Sequence, residues 1–335
     1  MRRIVHGVAG TVAAVLIVVI AVFVWCQFTP WPGAMAIRAV FTHGADQRAE
    51  KLKAHTPAGV AVTKDVEYRS GMDLDVYQSA HKSAKPRPIV IWVHGGAWLS
   101  GDKADDAVYF ELLAKGGYVV AAPNYSLAPD SHYPSPLHDL NAAFDYVSKN
   151  AATFNADPTK IFLAGDSAGS NLSAQMAAII TNPDYAREVG ITPTLRPDQL
   201  AGVVLTCGIY KMESLAEPGA DLPAILNWGD ETTVWAYTGK EEFDGPLIRQ
   251  MSPFYHVNAN FPPAFITGGN ADPLTDGQSI PFADELTKLG VSVTKLFYPK
   301  DHEPKLPHEY QFNLDNADGQ NALKEILAFL AANSV

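Results

Sequence analysis

Ile161-Phe162-Leu163-Ala164-Gly165-Asp166-Ser167-Ala168-Gly169 is the stretch that decides the fold. Its first four residues form a short apolar run typical of a buried strand, and a helical pattern follows the glycine-flanked serine. A strand that turns sharply into a helix presents the hydroxyl of its central serine as a nucleophile. Glycines suit such a turn, because the two backbones approach too closely there for side chains. Since G-x-S-x-G alone is a frequent pattern, its meaning depends on the rest of the chain.

Short apolar runs rich in valine and isoleucine recur on both sides of this stretch. They are predicted as core strands at residues 88–94, 118–123, 160–164, 200–206, 264–267 and 291–297. Helical patterns separate most of them, at residues 104–115, 136–150, 168–180, 280–289 and 320–332. This alternation predicts an α/β fold with a mostly parallel sheet covered by helices on both faces. Residues 63–68 and 72–78 are expected to form an antiparallel hairpin at the sheet edge.

The composition indicates a folded protein and argues against nucleic-acid binding. The chain has 335 residues, of which 47% are hydrophobic, and a formal net charge of -11. Nucleic-acid interfaces are basic, and this chain has no Lys/Arg run beyond its second and third residues. Its two cysteines, Cys26 and Cys207, cannot provide a disulfide framework.

The N-terminus has the composition of a membrane or export segment. Residues 4–37 contain no Lys, Arg, Asp or Glu, and residues 8–28 are almost entirely apolar, about the ~20 residues that a spanning helix needs. Arg2 and Arg3 precede this stretch, which predicts a cytoplasmic N-terminus and an extracytoplasmic catalytic domain. The alternative is a secreted protein whose signal peptide is cleaved after Ala34-Met35-Ala36.

The chain therefore divides into three predicted parts. Residues 1–36 are the membrane anchor or signal peptide, residues 37–62 a linker or cap segment, and residues 63–335 the α/β domain. An insertion around residues 209–255 separates two core strands and carries several Trp and Tyr residues. A segment of that length is expected to form a subdomain, here a cap over the serine.

Three polar clusters follow predicted strands, at the end of the sheet where open α/β proteins bind their ligands. The first is His94-Gly95-Gly96-Ala97-Trp98, whose backbone amides can stabilise an oxyanion. The second contains Asp272, a carboxylate able to orient a histidine. The third offers two histidines, His302 and His308, and the order Ser, Asp, His allows either one to be the base.

Together these motifs resemble the α/β-hydrolase superfamily and, within it, the hormone-sensitive-lipase-like esterases. That family has an H-G-G oxyanion motif and a G-D-S-A-G turn. The segments Asn124-Tyr125-Ser126-Leu127-Ala128-Pro129-Asp130 and Tyr133-Pro134-Ser135-Pro136 are similar to its Y-R-L-A-P-E and F-P-A-A segments. Asp272-Pro273-Leu274 with Asp276 matches its D-P-L-x-D acid loop. The resemblance extends from about Thr63 to the C-terminus.

The sequence departs from the family pattern in the oxyanion loop and at the histidine. Ala97 replaces a third glycine, and neither histidine is followed by the family's Gly-Phe. His302 fits the usual spacing from the acid. His308 fits better the distance to the last helix, and its His-x-x-x-Phe context is closer to the family motif. His308 is the preferred base and His302 the alternative.

The resemblance implies a serine carboxylesterase or lipase-like hydrolase that acts through an acyl-enzyme on a small-molecule acyl ester. Ser167 is the implied nucleophile, His308 the base and Asp272 the residue that orients it. The amides of Gly96, Ala97 and Ala168 would form the oxyanion hole, with Gly95 as a further candidate donor. The remaining residues of the two motifs, His94, Gly165, Asp166 and Gly169, are expected to support the oxyanion loop and the nucleophile turn.

Two alternative functions stay open at this point. An amidase or deacetylase acting on small acylated or cell-envelope substrates would use the same residues. A catalytically inactive binding module would lack a triad member, whereas here a serine, an acid and a histidine are all available. No metal or organic cofactor is required by any of these schemes.

Overall fold

The computed structural model describes residues 24–81, 83–216, 224–240 and 243–334. Its centre is one eight-stranded sheet in the order β1-β2-β4-β3-β5-β6-β7-β8. The strands are β1 Val60–Arg69, β2 Met72–Ser79, β3 Arg87–Val93, β4 Val119–Pro123, β5 Ala156–Asp166, β6 Leu200–Thr206, β7 Ala264–Gly268 and β8 Val293–Phe297.

Strand directions follow the sequence-based prediction. β1 pairs with β2, and β2 with β4, in antiparallel register, and all the remaining neighbours are parallel. The carboxyl ends of β3, β5, β6, β7 and β8 therefore open on one edge of the sheet, where the loops that follow them meet.

Helices follow several of the strands. One further helix precedes β1, and three more lie in the insertion between β6 and β7. They are α1 Trp31–Leu52, α2 Ala107–Lys115, α3 Ser135–Lys149, α4 Ala168–Thr181, α5 Pro183–Val189, α6 Glu213–Ala216, α7 Ala224–Thr238, α8 Pro246–Gln250, α9 Ile280–Lys288 and α10 Ala317–Ala332. A π-helical turn, Thr275–Ser279, leads into α9.

The central strands are buried on both faces, which explains why they read as continuous apolar runs. In β3, Ile89 and Ile91 pack with the cluster that includes α3, α4 and α9, while Val90 and Trp92 pack with the cluster that includes α2 and α10. The predicted α/β-hydrolase architecture, a mostly parallel sheet with helices on both faces, is confirmed.

The segment before the sheet, predicted as a linker or cap segment, is largely helical. Helix α1 spans 22 residues and crosses the boundary predicted at residue 36. Its buried positions include Gly33 and Ala34, and a side chain at Gly33 would meet Thr232 and Trp228 of α7. Because small residues form this contact, α1 lacks the strong apolar periodicity by which helices are recognised in a sequence.

Helix α1 also lies against the loops at the sheet edge. Arg38 donates hydrogen bonds to the carbonyl oxygens of Leu99, at 2.6 Å, and Ala128, at 2.7 Å. The insertion predicted at residues 209–255 contributes α6, α7 and α8, of which α7 packs on α1. Both segments contact the loop after β3, α1 through Arg38 and α7 through Tyr237, whose ring stacks on Trp98 at 4.8 Å.

From residue 24 onward, no described helix has the length and apolar character needed to cross a bilayer. The spanning segment predicted at residues 8–28 lies mostly outside the described residues.

Candidate active site

Ser167 lies at the junction of β5 and α4, as the sequence predicts. Its backbone has φ 50° and ψ -119°, a conformation that non-glycine residues rarely adopt. The Ser167 amide donates a 2.9 Å hydrogen bond to the carbonyl oxygen of Thr206 on the neighbouring strand. Such strained geometry persists only when its surroundings enforce it, and it is common at functional sites.

The flanking glycines allow the strand and helix to approach each other. A Cβ at Gly169 would overlap the carbonyl groups of Val93 and His94, and one at Gly165 would lie 2.5 Å from the Gly169 carbonyl. Helix α4 therefore packs backbone to backbone against β3 and β5. This close packing fixes Ser167 at the edge of the sheet.

His308 and Asp272 lie together on the loops after β8 and β7. Nδ1 of His308 is 2.9 Å from Oδ2 of Asp272, whose side chain is fully buried. The other carboxylate oxygen of Asp272 accepts a 3.0 Å hydrogen bond from the Leu274 amide. With Nδ1 donating to the carboxylate, Nε2 of the neutral imidazole is the nitrogen that can accept a proton.

The surroundings of His308 favour its protonated form. Burial opposes protonation, but the hydrogen bond and charge of Asp272 and the charge of Glu309 outweigh it and raise the pKa of the imidazole above its ordinary value. An imidazole with this environment is well suited to accept a proton during a reaction.

His302 lies in a different environment. Its Nε2 atom is 3.0 Å from Oδ2 of Asp318, at the start of α10. Its ring packs at a tilt against the ring of Tyr298, with the centroids 4.6 Å apart. The structure thus pairs each histidine with its own carboxylate, and it is His308 that meets Asp272.

The loop after β3 presents free backbone amides. Gly96, Ala97 and Trp98 have φ values of 100°, 54° and 58°, so the chain coils tightly there. Within the described part of the chain, the amides of Gly96, Ala97 and Ala168 have no hydrogen-bond partner. Because they lie at the ends of β3 and β5, they are available to an oxyanion.

Gly95 has a different role from that of an oxyanion donor. Its amide donates a 2.9 Å hydrogen bond to Oδ2 of Asp166. The other oxygen of Asp166 accepts a 2.8 Å hydrogen bond from Nε1 of Trp92. Asp166 therefore ties the turn that carries Ser167 to the loop after β3.

His94 is a structural residue of the same loop. Burial lowers its pKa to about 4, so the ring is neutral near pH 7. Nδ1 is 2.8 Å from the Gly95 carbonyl oxygen, and the ring stacks on Tyr125 at 4.2 Å. The Tyr125 hydroxyl donates to the His94 carbonyl oxygen at 2.9 Å, which links this loop to the segment after β4.

Comparison with known families identifies the chain. The sequence model of the BD-FAE family matches residues 74–286. The chain belongs to the BD-FAE family. This membership confirms the predicted relation to the α/β-hydrolase esterases.

Several proteins similar to this BD-FAE chain are named as esterases. It is 34% identical over 226 residues to carboxylesterase NlhH of Mycobacterium tuberculosis. The matched region covers 67% of this chain and 66% of NlhH, just under two thirds of the length of NlhH. It is 27% identical over 259 residues to an esterase of Gibberella moniliformis, covering 75% of this chain and 78% of that one. Esterase B of Lactobacillus rhamnosis has the same fold, with a TM-score of 0.75 at 23% identity over 90% of this chain and 96% of that one.

Three charged residues of the BD-FAE chain were missed by the sequence analysis. Arg48 of α1 binds Asp106, which precedes α2, and Glu309, which directly follows His308. The available signal was the absence of the family glycine after the histidine. Glu309 occupies that position with φ 59°, in the left-handed region that glycine adopts without strain.

A cavity of about 220 Å³ lies between α1 and the loop that carries His308. Gln47, Lys51, His55, His308 and Asn313 are among its lining residues. A smaller space of about 30 Å³ lies where α1 meets the loop after β3. Helix α1 of this BD-FAE protein therefore forms one wall of the space beside His308, and Ser167 lines neither space.

Proposed function

We propose that the protein is a serine carboxylic-ester hydrolase that acts through Ser167, His308 and Asp272. The observation that carries the proposal is the 2.9 Å contact between His308 and Asp272. Glu309, which follows His308, interacts with Asp166, the residue before the strained Ser167. The free amides of Gly96 and Ala97 supply the second requirement for acyl transfer, a preformed oxyanion site. The esterase names of the relatives support the same reaction.

In the proposed reaction, the Ser167 hydroxyl attacks the ester carbonyl carbon while its proton passes to Nε2 of His308. The amides of Gly96, Ala97 and Ala168 stabilise the negative charge on the carbonyl oxygen. The bond to the leaving alcohol then breaks, and His308 gives the alcohol its proton. Water, deprotonated by His308, hydrolyses the acyl-enzyme and restores the Ser167 hydroxyl. Asp272 stabilises the imidazolium in both halves of the reaction.

An acyl ester of a small molecule is the proposed substrate class. Esterase B of Lactobacillus rhamnosis, which shares the fold, has been solved inhibited by a C4-C4 sn3 tributyrin phosphonate. The assay that tests the class compares p-nitrophenyl acetate, butyrate and octanoate with p-nitroacetanilide. We expect turnover of at least one ester and much slower turnover of the anilide. Preference for the anilide would support an amidase, and no turnover of any of these would support a binding module.

The pH dependence of wild-type activity is the first prediction. Because His308 must be neutral to accept the serine proton, kcat/KM falls as the pH decreases through the pKa of His308. Asp272 and Glu309 raise that pKa, so we expect the acid limb of the profile to have its midpoint above the ordinary histidine value of about 6.5. Initial rates with p-nitrophenyl butyrate between pH 5 and 9 give this midpoint. A midpoint well below 6.5 would contradict the described charge environment.

We further propose that residues 8–28 anchor the protein in the membrane with the catalytic domain extracytoplasmic. The apolar composition of this segment and the two arginines before it support the anchor. The packing of Gly33 and Ala34 in α1 supports its retention, because cleavage after Ala36 would divide a helix that contacts α7.

Cell fractionation with N-terminal sequencing tests the anchor. We expect the protein in the membrane fraction after an alkaline carbonate wash, with its N-terminus upstream of residue 8. External protease added to intact spheroplasts is expected to degrade the catalytic domain. A soluble protein that begins at Ile37 would reject the anchor in favour of a cleaved signal peptide.

A further inference from the structure

A partly buried cluster of charged groups joins helix α1 to the segment before α2 and to the loop that carries His308. Arg48 forms a two-pronged pair with Asp106, from Nε to Oδ1 at 2.6 Å and from Nη2 to Oδ2 at 3.0 Å. Its third nitrogen, Nη1, binds Oε2 of Glu309 at 2.6 Å. The guanidinium also lies over the ring of Phe312, 5.0 Å from its centre. Each of the three guanidinium nitrogens thereby donates a hydrogen bond to a carboxylate of the protein.

Glu309 is held close to the imidazole of His308. Its second carboxylate oxygen, Oε1, lies 3.8 Å from Nε2 of His308, the nitrogen that exchanges protons with Ser167 in the proposed mechanism. A charge-assisted hydrogen bond between these atoms would be about 2.8 Å long. A shift of about 1 Å would therefore place the carboxylate on this nitrogen, where it would compete with the serine.

Charged and titratable groups from several elements face this carboxylate. They are Arg48 of α1, Asp106 before α2, Asp166 at the end of β5, and Asp272 and His308 on the catalytic loops. Asp105 lines the same small space as Glu309. His308 itself faces Asp272, Glu309, Arg48 and the thiol of Cys207. Any change in the position of Glu309 therefore acts directly on the base.

The protonation states in the cluster follow from burial and charge. Burial, together with the charges of Glu309 and Asp106, raises the pKa of Asp166 well above its ordinary value and so favours its protonated form. Burial opposes ionisation of Glu309, but Arg48, His308 and the hydrogen bond from Asp166 outweigh it and lower its pKa. Its ionised form is therefore favoured, with Arg48 on Oε2 and the other oxygen, Oε1, facing His308.

We propose that Arg48 holds the Glu309 carboxylate off Nε2 of His308, so that docking of helix α1 keeps the catalytic base available to Ser167. Glu309 is a positioning residue in this scheme, and α1 acts as a latch on the active site. The inference rests on the proposed function, in which His308 is the base. The N-terminal helix thereby has a role in the chemistry besides its packing on α7.

The test releases Glu309 and then removes its charge. The double variant Arg48→Met/Asp106→Asn removes the arginine together with its main partner. The net charge is unchanged, and no unpaired carboxylate is left buried at residue 106. Met retains an apolar side chain over Phe312, and Asn is as good as Asp at a helix start. The triple variant adds Glu309→Gln. Full-length proteins are compared by kcat, KM and the pH profile with p-nitrophenyl butyrate.

We expect the double variant to lose about tenfold in kcat at pH 7 and to shift the acid limb upward by about one unit, because a tenfold population change corresponds to one pKa unit. KM should stay nearly constant. Adding Glu309→Gln should restore most of kcat and move the acid limb below that of the wild type. Recovery of activity by a third substitution is a result that general loss of structure would not produce.

The single variant Glu309→Gln provides a second test that leaves the Arg48 and Asp106 pair intact. It is expected to lower the acid limb by about one unit, since a negative charge near the imidazole is removed. Thermal unfolding of every variant identifies those that are merely unstable.

Two outcomes would overturn the inference. One is a triple variant as slow as the double variant, and the other is an acid limb unaffected by Glu309→Gln. A parallel His308→Ala variant separates this failure from that of the proposed function. If His308→Ala retains full activity, the base itself has been misassigned. If it is inactive and no rescue occurs, only the latch is rejected.

Discussion

We expect Ser167→Ala to lower kcat for p-nitrophenyl butyrate by about 10⁴- to 10⁶-fold, the cost of removing the nucleophile from a catalytic triad. The substitution removes the one oxygen that forms the acyl-enzyme, and no other hydroxyl occupies the tight turn between β5 and α4. KM should change little, because the variant keeps the oxyanion amides. Steady-state kinetics on the full-length protein, with the uncatalysed rate subtracted, give the comparison.

Ser173→Ala is the matched control for this prediction. Ser173 lies on the same helix, is fully buried, and donates a 2.8 Å hydrogen bond to the Ala164 carbonyl oxygen. Its loss should cost stability of about 1 kcal/mol and leave kcat within a few-fold of the wild type. Equal losses in both variants would show that damage to α4, and not loss of a nucleophile, explains the effect.

We expect His308→Ala to be nearly as damaging as Ser167→Ala, with a loss of about 10⁴- to 10⁶-fold in kcat. Without the imidazole, the serine proton has no acceptor, and Asp272 is left as a buried carboxylate without its partner. His302→Ala should retain activity within a few-fold, because it removes only the contacts with Asp318 and Tyr298, away from Asp272. Parallel kinetics and thermal unfolding of the two variants decide between the histidines.

The opposite pattern would reassign the base. An active His308→Ala variant together with an inactive His302→Ala variant of normal stability would show that His302 reaches Ser167 in solution. Loss of activity in both would require a structural role for the Asp318 contact.

The sheet and the nucleophile turn could be predicted because their causes are local. Strands such as Leu200–Thr206 are continuous apolar runs buried on both faces. Gly165 and Gly169 indicate that a strand and a helix approach too closely at Ser167 for side chains to fit between them. Because the carboxyl ends of parallel strands meet at one edge of the sheet, the positions of the oxyanion loop and of Asp272 follow from the strand order.

The choice between the two histidines could not be made from the sequence. Both follow β8, six residues apart, and both fit part of the family spacing. Which of them meets Asp272 depends on how the loop folds between β8 and α10. There, Leu306 donates to the Asn270 side chain and Ala271 donates to Leu306, each at 2.9 Å. These bonds bring the end of the loop against the acid.

The charged cluster was beyond sequence reasoning for a similar reason. Arg48 is separated by 58 residues from Asp106 and by 261 residues from Glu309. Helix α1 also carries small residues at its contacts with α7, so the sequence shows no apolar periodicity that would predict it. The one local sign was the glutamate after His308, where the related esterases have a glycine.

Covalent capture of the nucleophile is the most direct test of the account. The full-length protein is incubated with a p-nitrophenyl alkylphosphonate, and the adduct is located by peptide mass spectrometry. We predict release of one p-nitrophenol per chain and a single adduct on Ser167, with no adduct in Ser167→Ala and much slower labelling in His308→Ala. Stoichiometric labelling at any other residue, with Ser167 unmodified and hydrolysis lost, would contradict it.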